Sequence, residues 1–137
     1  SYLYIDQECS VLDPGLTVFE QTERFNASHL AEHELKSILN RYLFPYETWD
    51  KPCFCLSGGE KIRLLFCCLM IGNNAPDVFI LDEPTNNLDI QSVEIITAAI
   101  KSYRGTVLLI SHDHYFVKEI KINRSIKLFD TGSVIKI

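Results

Sequence analysis

The chain has 137 residues, 47% hydrophobic and 23% charged, with 13 Lys and Arg against 18 Asp and Glu and a net charge of −5. That is enough apolar material for one packed domain, and the acidic balance excludes nucleic-acid binding through bulk positive charge. The longest apolar stretch, Ile62 to Ile71, contains Arg63 and falls short of the roughly 18 to 20 residues of a membrane span. The opening SYLYIDQ lacks the basic-then-apolar order of a secretory signal, so a cytoplasmic location without membrane insertion is expected.

In chain order, YLYI (Tyr2 to Ile5) is β-rich and stops at Asp6-Gln7, as the end of a strand entering a loop does. In LDPGLTVFEQT a Pro-Gly turn precedes a helix start, with Thr17 as N-cap and Glu20 three residues on, a capping-box spacing. From Leu30 to Phe44, apolar residues at Leu30, Leu35, Ile38, Leu39, Tyr42 and Leu43 form a helical stripe that Pro45 closes. A further helix is predicted over about 61–71, ending at Gly72-Asn73-Asn74 before Pro76.

VFILD (Val78 to Asp82) and TVLLIS (Thr106 to Ser111) are continuous apolar runs, which predicts strands buried on both faces. A helix over 89–103, terminated by Gly105, joins them, and a crossover helix between two buried strands implies a parallel sheet of α/β class. A short helix over 113–119 and a hairpin through Thr131-Gly132 complete the order. The stretch 17–74 is too long for one crossover and is expected to be an inserted α-helical subdomain. Residues 1–16 and 75–137 then supply the sheet portion. Cys9, Cys53, Cys55, Cys67 and Cys68 form no C-x-x-C pair and precede no His cluster, so buried reduced thiols are expected rather than a zinc site.

Three places carry chemistry. Asp82 and Glu83 end an apolar strand at its carboxyl edge, where open α/β sheets bind ligands, and two adjacent carboxylates suit a cation and an attacking water; taken alone, the pair reads first as an acidic cap on the turn at Pro84. His112 follows the second strand at the same edge, where it can donate to a phosphate oxygen or a water, or stand as a surface residue at a helix start. Ser57, Gly58 and Gly59 place a hydroxyl and backbone N–H groups at a helix N-terminus, a site for an anion. A Ser N-cap alone would explain the serine and leave the glycines unexplained. His29, His33 and His114 receive no role.

Together, LSGGE, then FILDEPTNNLD, then SHD, in this order and spacing, resemble the ATP-binding cassette (ABC) ATPases. The resemblance implies a partial P-loop NTPase core, ATP and Mg2+ as ligands, and pairing with a second cassette. It makes Glu83 and His112 catalytic and Asp82 and Gln7 magnesium contacts. Gln7, Ser57, Gly58, Gly59, Glu60 and Asp89 become nucleotide contacts.

Glu60 in place of the Gln usual in transporters, the TNNLD stretch, SHDHYFV and LDPGLTVFE are similar to the ABC-F group, whose members are cytosolic two-cassette proteins, many acting on ribosomes. That similarity runs from Tyr4 to about Phe129 and implies a second cassette on the same polypeptide and the ribosome as partner. The alternative is an ATPase subunit of a membrane transporter. No G-x-x-x-x-G-K-[ST] pattern occurs, so the chain is expected to be the carboxyl part of one cassette, inactive alone. Its uncovered sheet edges are expected to promote self-association.

Overall fold

A computed structural model describes residues 1–6, 8–72, 76–128 and 134–136. Strand β1 (Tyr2–Ile5) leads through a loop to helices α1 (Val18–Phe25), α2 (Glu32–Arg41) and α3 (Gly58–Gly72). Then come β2 (Val78–Asp82), α4 (Ile90–Ser102), β3 (Thr106–Ile110), α5 (His114–Glu119) and the strands β4 (Ile126–Leu128) and β5 (Val134–Lys136). The first three strands form a parallel sheet in the order β1-β2-β3, pairing Tyr4 with Ile80 and Ile80 with Leu108. Strands β4 and β5 pair antiparallel as the expected hairpin, whose turn at Thr131-Gly132 lies outside the described residues, as do Asn73 and Asn74.

Helix α1 begins as its sequence dictates: the Glu20 N–H donates to Thr17 Oγ1 at 3.2 Å, and the Thr17 N–H donates to Glu20 Oε2 at 2.8 Å. Helix α2 is shorter than the apolar stripe. It ends at Arg41 because the chain turns left-handed at Leu43 (φ 62°), where the Phe44 N–H donates to Leu39 O at 2.9 Å and the Leu43 N–H to Asn40 O at 3.1 Å. Those two bonds are a Schellman closure with leucine where glycine is usual. It swings Phe44 into the core, and Arg63 donates to the freed carbonyls of Tyr42 and Leu43 at 3.2 and 3.3 Å.

Helix α3 is the central element: Leu64, Leu65, Cys67 and Cys68 are fully buried. Burial pushes the Cys67 and Cys68 thiols well above their usual pKa. Phe66 meets Phe79 of β2 with ring centroids 6.1 Å apart. Cys9 and Cys53 are also buried and reduced, whereas Cys55 is exposed.

One expectation is corrected. The apolar strands are covered on a single face: Phe79 and Leu81 are buried beneath the helices, but on the opposite face Tyr4 is 46% exposed and Leu108 and Ile110 are each 49% exposed. The strand pattern alternates even though the sequence does not, because the helices described here all pack on one side.

Candidate functional site

The parallel pairing of β2 with β3 brings their carboxyl ends together, with Asp82 opposite Ile110. Glu83 continues the ladder by one step, its N–H donating to Ile110 O at 2.8 Å. It does so in the left-handed region at φ 47°, a conformation a glutamate adopts only when its surroundings enforce it. The carboxylate, 16% exposed, turns toward the loop after β3. There it accepts the His112 N–H at Oε2 (3.3 Å), and His112 Nε2 stands 3.4 Å from Oε1. The imidazole itself is 96% exposed, so one nitrogen faces the glutamate while the ring remains open to an incoming group.

Neighbouring residues brace this edge. Tyr4 donates its hydroxyl to Asp82 Oδ2 at 3.0 Å, and that bond to the carboxylate raises the tyrosine pKa. Asp113 caps α5 through the Phe116 N–H at 3.0 Å and accepts the Thr85 hydroxyl at 3.2 Å, tying the loop after β2 to the loop after β3. Neither Tyr4 nor Thr85 was singled out from sequence. The Asp113 bond to Thr85 spans 28 positions that only the sheet brings together.

The second motif sits at the start of α3. The helix begins at Gly58, earlier than predicted, with a capping box in which the Glu60 N–H donates to Ser57 Oγ at 3.2 Å and the Ser57 N–H to Glu60 Oε2 at 2.8 Å. Lys51 Nζ lies 3.2 and 3.1 Å from the two Glu60 oxygens. Burial pushes the Glu60 carboxyl up, but the Ser57 amide and the Lys51 ammonium outweigh it and leave the pKa below the ordinary glutamate value.

The two glycines differ. A Cβ on Gly58 would meet nothing within 4 Å, whereas on Gly59 it would meet Ser92 Oγ at 3.1 Å and Asp89 Oδ2 at 3.3 Å. Asp89 caps α4, accepting the Ser92 N–H at 2.8 Å and the Ser92 hydroxyl at 2.6 Å. The structure therefore gathers the candidate residues unequally. Glu83 and His112 meet directly, and Gly58 shares a cleft of about 260 Å3 with Glu8, Glu83, Asn86 and Asn87. Glu60 and Asp89 are turned to local partners, and Gln7 lies outside the described residues.

Among the described residues, no group of three or more His, Cys, Asp or Glu is arranged to hold a metal. The two hard carboxylates at the end of β2 suit magnesium, which binds through one or two carboxylates, waters and phosphate oxygens rather than in a protein cage.

Residues 1–86 match the family described as ABC transporter. The chain belongs to the ABC family. This ABC chain is 42% identical over 128 residues to ABC transporter F family member 5 of Arabidopsis thaliana, covering 93% of the chain and 18% of that relative. The chain spans a quarter or less of the length of the curated relatives it matches, 18% of that relative and 14% of ABC transporter F family member 2 of the same organism. The F-group assignment made on Glu60, Asn86-Asn87 and SHDHYFV holds.

Its fold is that of solved cassettes. A dimeric ABC cassette in a post-hydrolysis state bound to ADP and Pi superposes at a TM-score of 0.63 with 21% identity, covering 87% of this chain and 55% of that one. An archaeal ribosome recycling factor in complex with a ribosomal stalk protein superposes at 0.71 with 23% identity, covering 99% of this chain and 27% of that one. Among the described residues, no helix of this ABC chain is long and apolar enough to cross a membrane.

Proposed function

We propose that this ABC chain contributes to ATP hydrolysis in a two-cassette ABC-F protein that acts on the ribosome in the cytoplasm. Residues 17–74 form the helical subdomain that presents the LSGGE stretch to a second cassette on the same polypeptide. Bound Mg·ATP supplies the phosphoryl group and a cation that offsets phosphate charge. Asp82, with Gln7, would hold the metal. Glu83 takes a proton from water at the carboxyl edge of the sheet, and His112 fixes the glutamate and donates toward the phosphate. Ser57, Gly58 and Gly59 present N–H and hydroxyl donors to nucleotide held by the partner cassette, with Glu60 and Asp89 fixing the two helix starts behind them.

The observation that carries this reading is the Glu83–His112 pair. A strained glutamate and an exposed histidine stand 3.4 Å apart at adjoining strand ends.

In the gene product that contains this sequence, Glu83→Gln is expected to lower ATP turnover by at least about 100-fold, the scale of a lost general base, while ATP binding persists. Turnover within a few-fold of wild type would overturn the assignment. The ATP-loaded Glu83→Gln protein is expected to co-sediment with ribosomes; no ATP-dependent association would reject the ribosomal part of the reading alone. The 137-residue chain by itself is expected to show no turnover, and activity that Glu83→Gln abolishes would contradict this.

A further inference from the structure

Glu60 sets up a conflict at the start of α3. A carboxylate in the first helical turn stabilises the N-terminus by capping it and opposing the helix dipole. The same carboxylate places a full negative charge where the proposed function requires an anion to approach Ser57, Gly58 and Gly59. Glutamine could reach back to the N-cap amide without that charge, so a glutamate here needs an electrostatic counterweight.

Lys51 is built to be one. Its ammonium lies within hydrogen-bond distance of both Glu60 oxygens, and the pair is sheltered, with the lysine side chain 34% exposed and the glutamate 25%. The lysine is not a loose surface residue. Its carbonyl accepts the Val18 N–H at 3.0 Å and its own N–H donates to Thr48 O at 3.1 Å, so its backbone is anchored to the start of α1. The cap itself does not need Lys51, because the Ser57–Glu60 bonds are complete without it.

We infer that Lys51 is a positioning residue for the phosphate-facing end of α3, neutralising Glu60 so that the helix start caps itself and still admits a polyphosphate. This rests on the proposal that Ser57, Gly58 and Gly59 face nucleotide. Lys51 and Glu60 together present no net charge to an incoming anion, whereas Glu60 alone repels it over a distance shorter than the screening length of physiological salt.

The test is titration of the gene product that contains this sequence with inorganic tripolyphosphate at fixed ionic strength, following the amide resonances of Gly58 and Gly59 under selective glycine labelling. Both are expected to shift in the wild type. Lys51→Met is expected to weaken the apparent affinity roughly three- to ten-fold, Lys51→Arg to leave it near wild type, and Lys51→Met combined with Glu60→Gln to restore it. Restoration separates a charge effect from a structural one, because a lysine needed only for packing would not be rescued by removing the charge of its partner.

If Lys51→Met does not fold, Lys51→Gln makes the same comparison. Wild-type shifts with Lys51→Met unchanged, or a loss that Glu60→Gln fails to rescue, would overturn the role of Lys51 and leave the phosphate-facing assignment standing. Unmoved Gly58 and Gly59 amides in the wild type would overturn both.

Discussion

Gly59 packs against Ser92 so closely that a Cβ on the glycine would stand 3.1 Å from the serine Oγ, which is itself held 2.6 Å from Asp89 Oδ2. Ser92 is fully buried, and moving its hydroxyl would break its bond to Asp89 Oδ2. Gly59→Ala is therefore expected to destabilise the chain by about 1–3 kcal/mol, the usual cost of overpacking. Gly58, with nothing within 4 Å of its Cβ direction, has no such neighbour. Gly58→Ala is expected to stabilise by up to about 1 kcal/mol through helix propensity. Urea unfolding of the two variants distinguishes them, and shifts of the same sign would refute the packing argument.

The left-handed leucine that ends α2 gives a second test. Leu43 sits at φ 62° and is 41% exposed, so its side chain gains little from burial while its backbone bears the cost of the left-handed region, about 1–2 kcal/mol outside glycine. Leu43→Gly is expected to raise stability by about 0.5–1 kcal/mol, the relief being partly offset by greater freedom in the unfolded chain. Arg63→Met is expected to cost about 2–3 kcal/mol, because it removes the donor to the Tyr42 and Leu43 carbonyls at that closure. Thermal unfolding with both substitutions combined reads the coupling between them.

How legible all this is from sequence depends on whether the signal is local. The capping box at Thr17 and the parallel pairing of VFILD with TVLLI could be read directly, since one follows from spacing and the other from apolar runs. The end of α2 could not, because a leucine in the left-handed region carries no sequence mark and its stripe continues apolar through Leu43. Gly59 could be noticed as a costly glycine but not explained, since Ser92 lies 33 positions away and meets it only when α4 docks. The burial of the strands was overestimated for a related reason: a run of apolar residues states what a face can tolerate, not what covers it. At the site, the residue types of Glu83 and His112 were readable, but their contact needed the register of β2 against β3.

The acid limb of stability follows from carboxylates committed to N–H donors. The Ser92 hydroxyl and N–H bring the Asp89 pKa down, and the Ser57 amide and Lys51 do the same for Glu60 against its burial. A pKa lower in the folded chain than the roughly 4 of the unfolded one gives stability that is complete above that value and lost as pH falls through the folded values. At the alkaline end the signs reverse: burial pushes the Cys9 thiol up to about 12 and the Cys53 thiol up to about 11. Stability is complete below the unfolded thiol value near 8.5 and lost as pH rises beyond it. The urea midpoint is expected to be flat from about pH 5 to pH 8 and to fall on both sides. Asp89→Asn, which keeps an N-cap without a titrating group, is expected to flatten the acid limb; an unchanged limb would exclude Asp89 as a contributor.

The open face of the sheet sets the behaviour of the chain in solution. Tyr2, Tyr4, Leu108 and Ile110 lie on one face of β1 and β3 and are 74%, 46%, 49% and 49% exposed, with Ile80 of β2 half-buried between them. Contiguous aromatic and branched apolar side chains on a flat surface gain about 25 cal/mol for each Å2 removed from water, and a second copy offers the same surface in return. The chain is expected to self-associate through this face, with a mass by light scattering that rises with concentration. Leu108→Lys with Ile110→Lys is expected to return it to a monomer, since two ammonium groups at adjacent outward positions of one strand would have to be desolvated in the paired state. The helices pack on the other side of the sheet, so the substitution leaves the core of Phe79 and Leu81 intact and should change the mass without changing the far-ultraviolet spectrum. A wild-type chain that stays monomeric at high concentration would show that this face is stable in water.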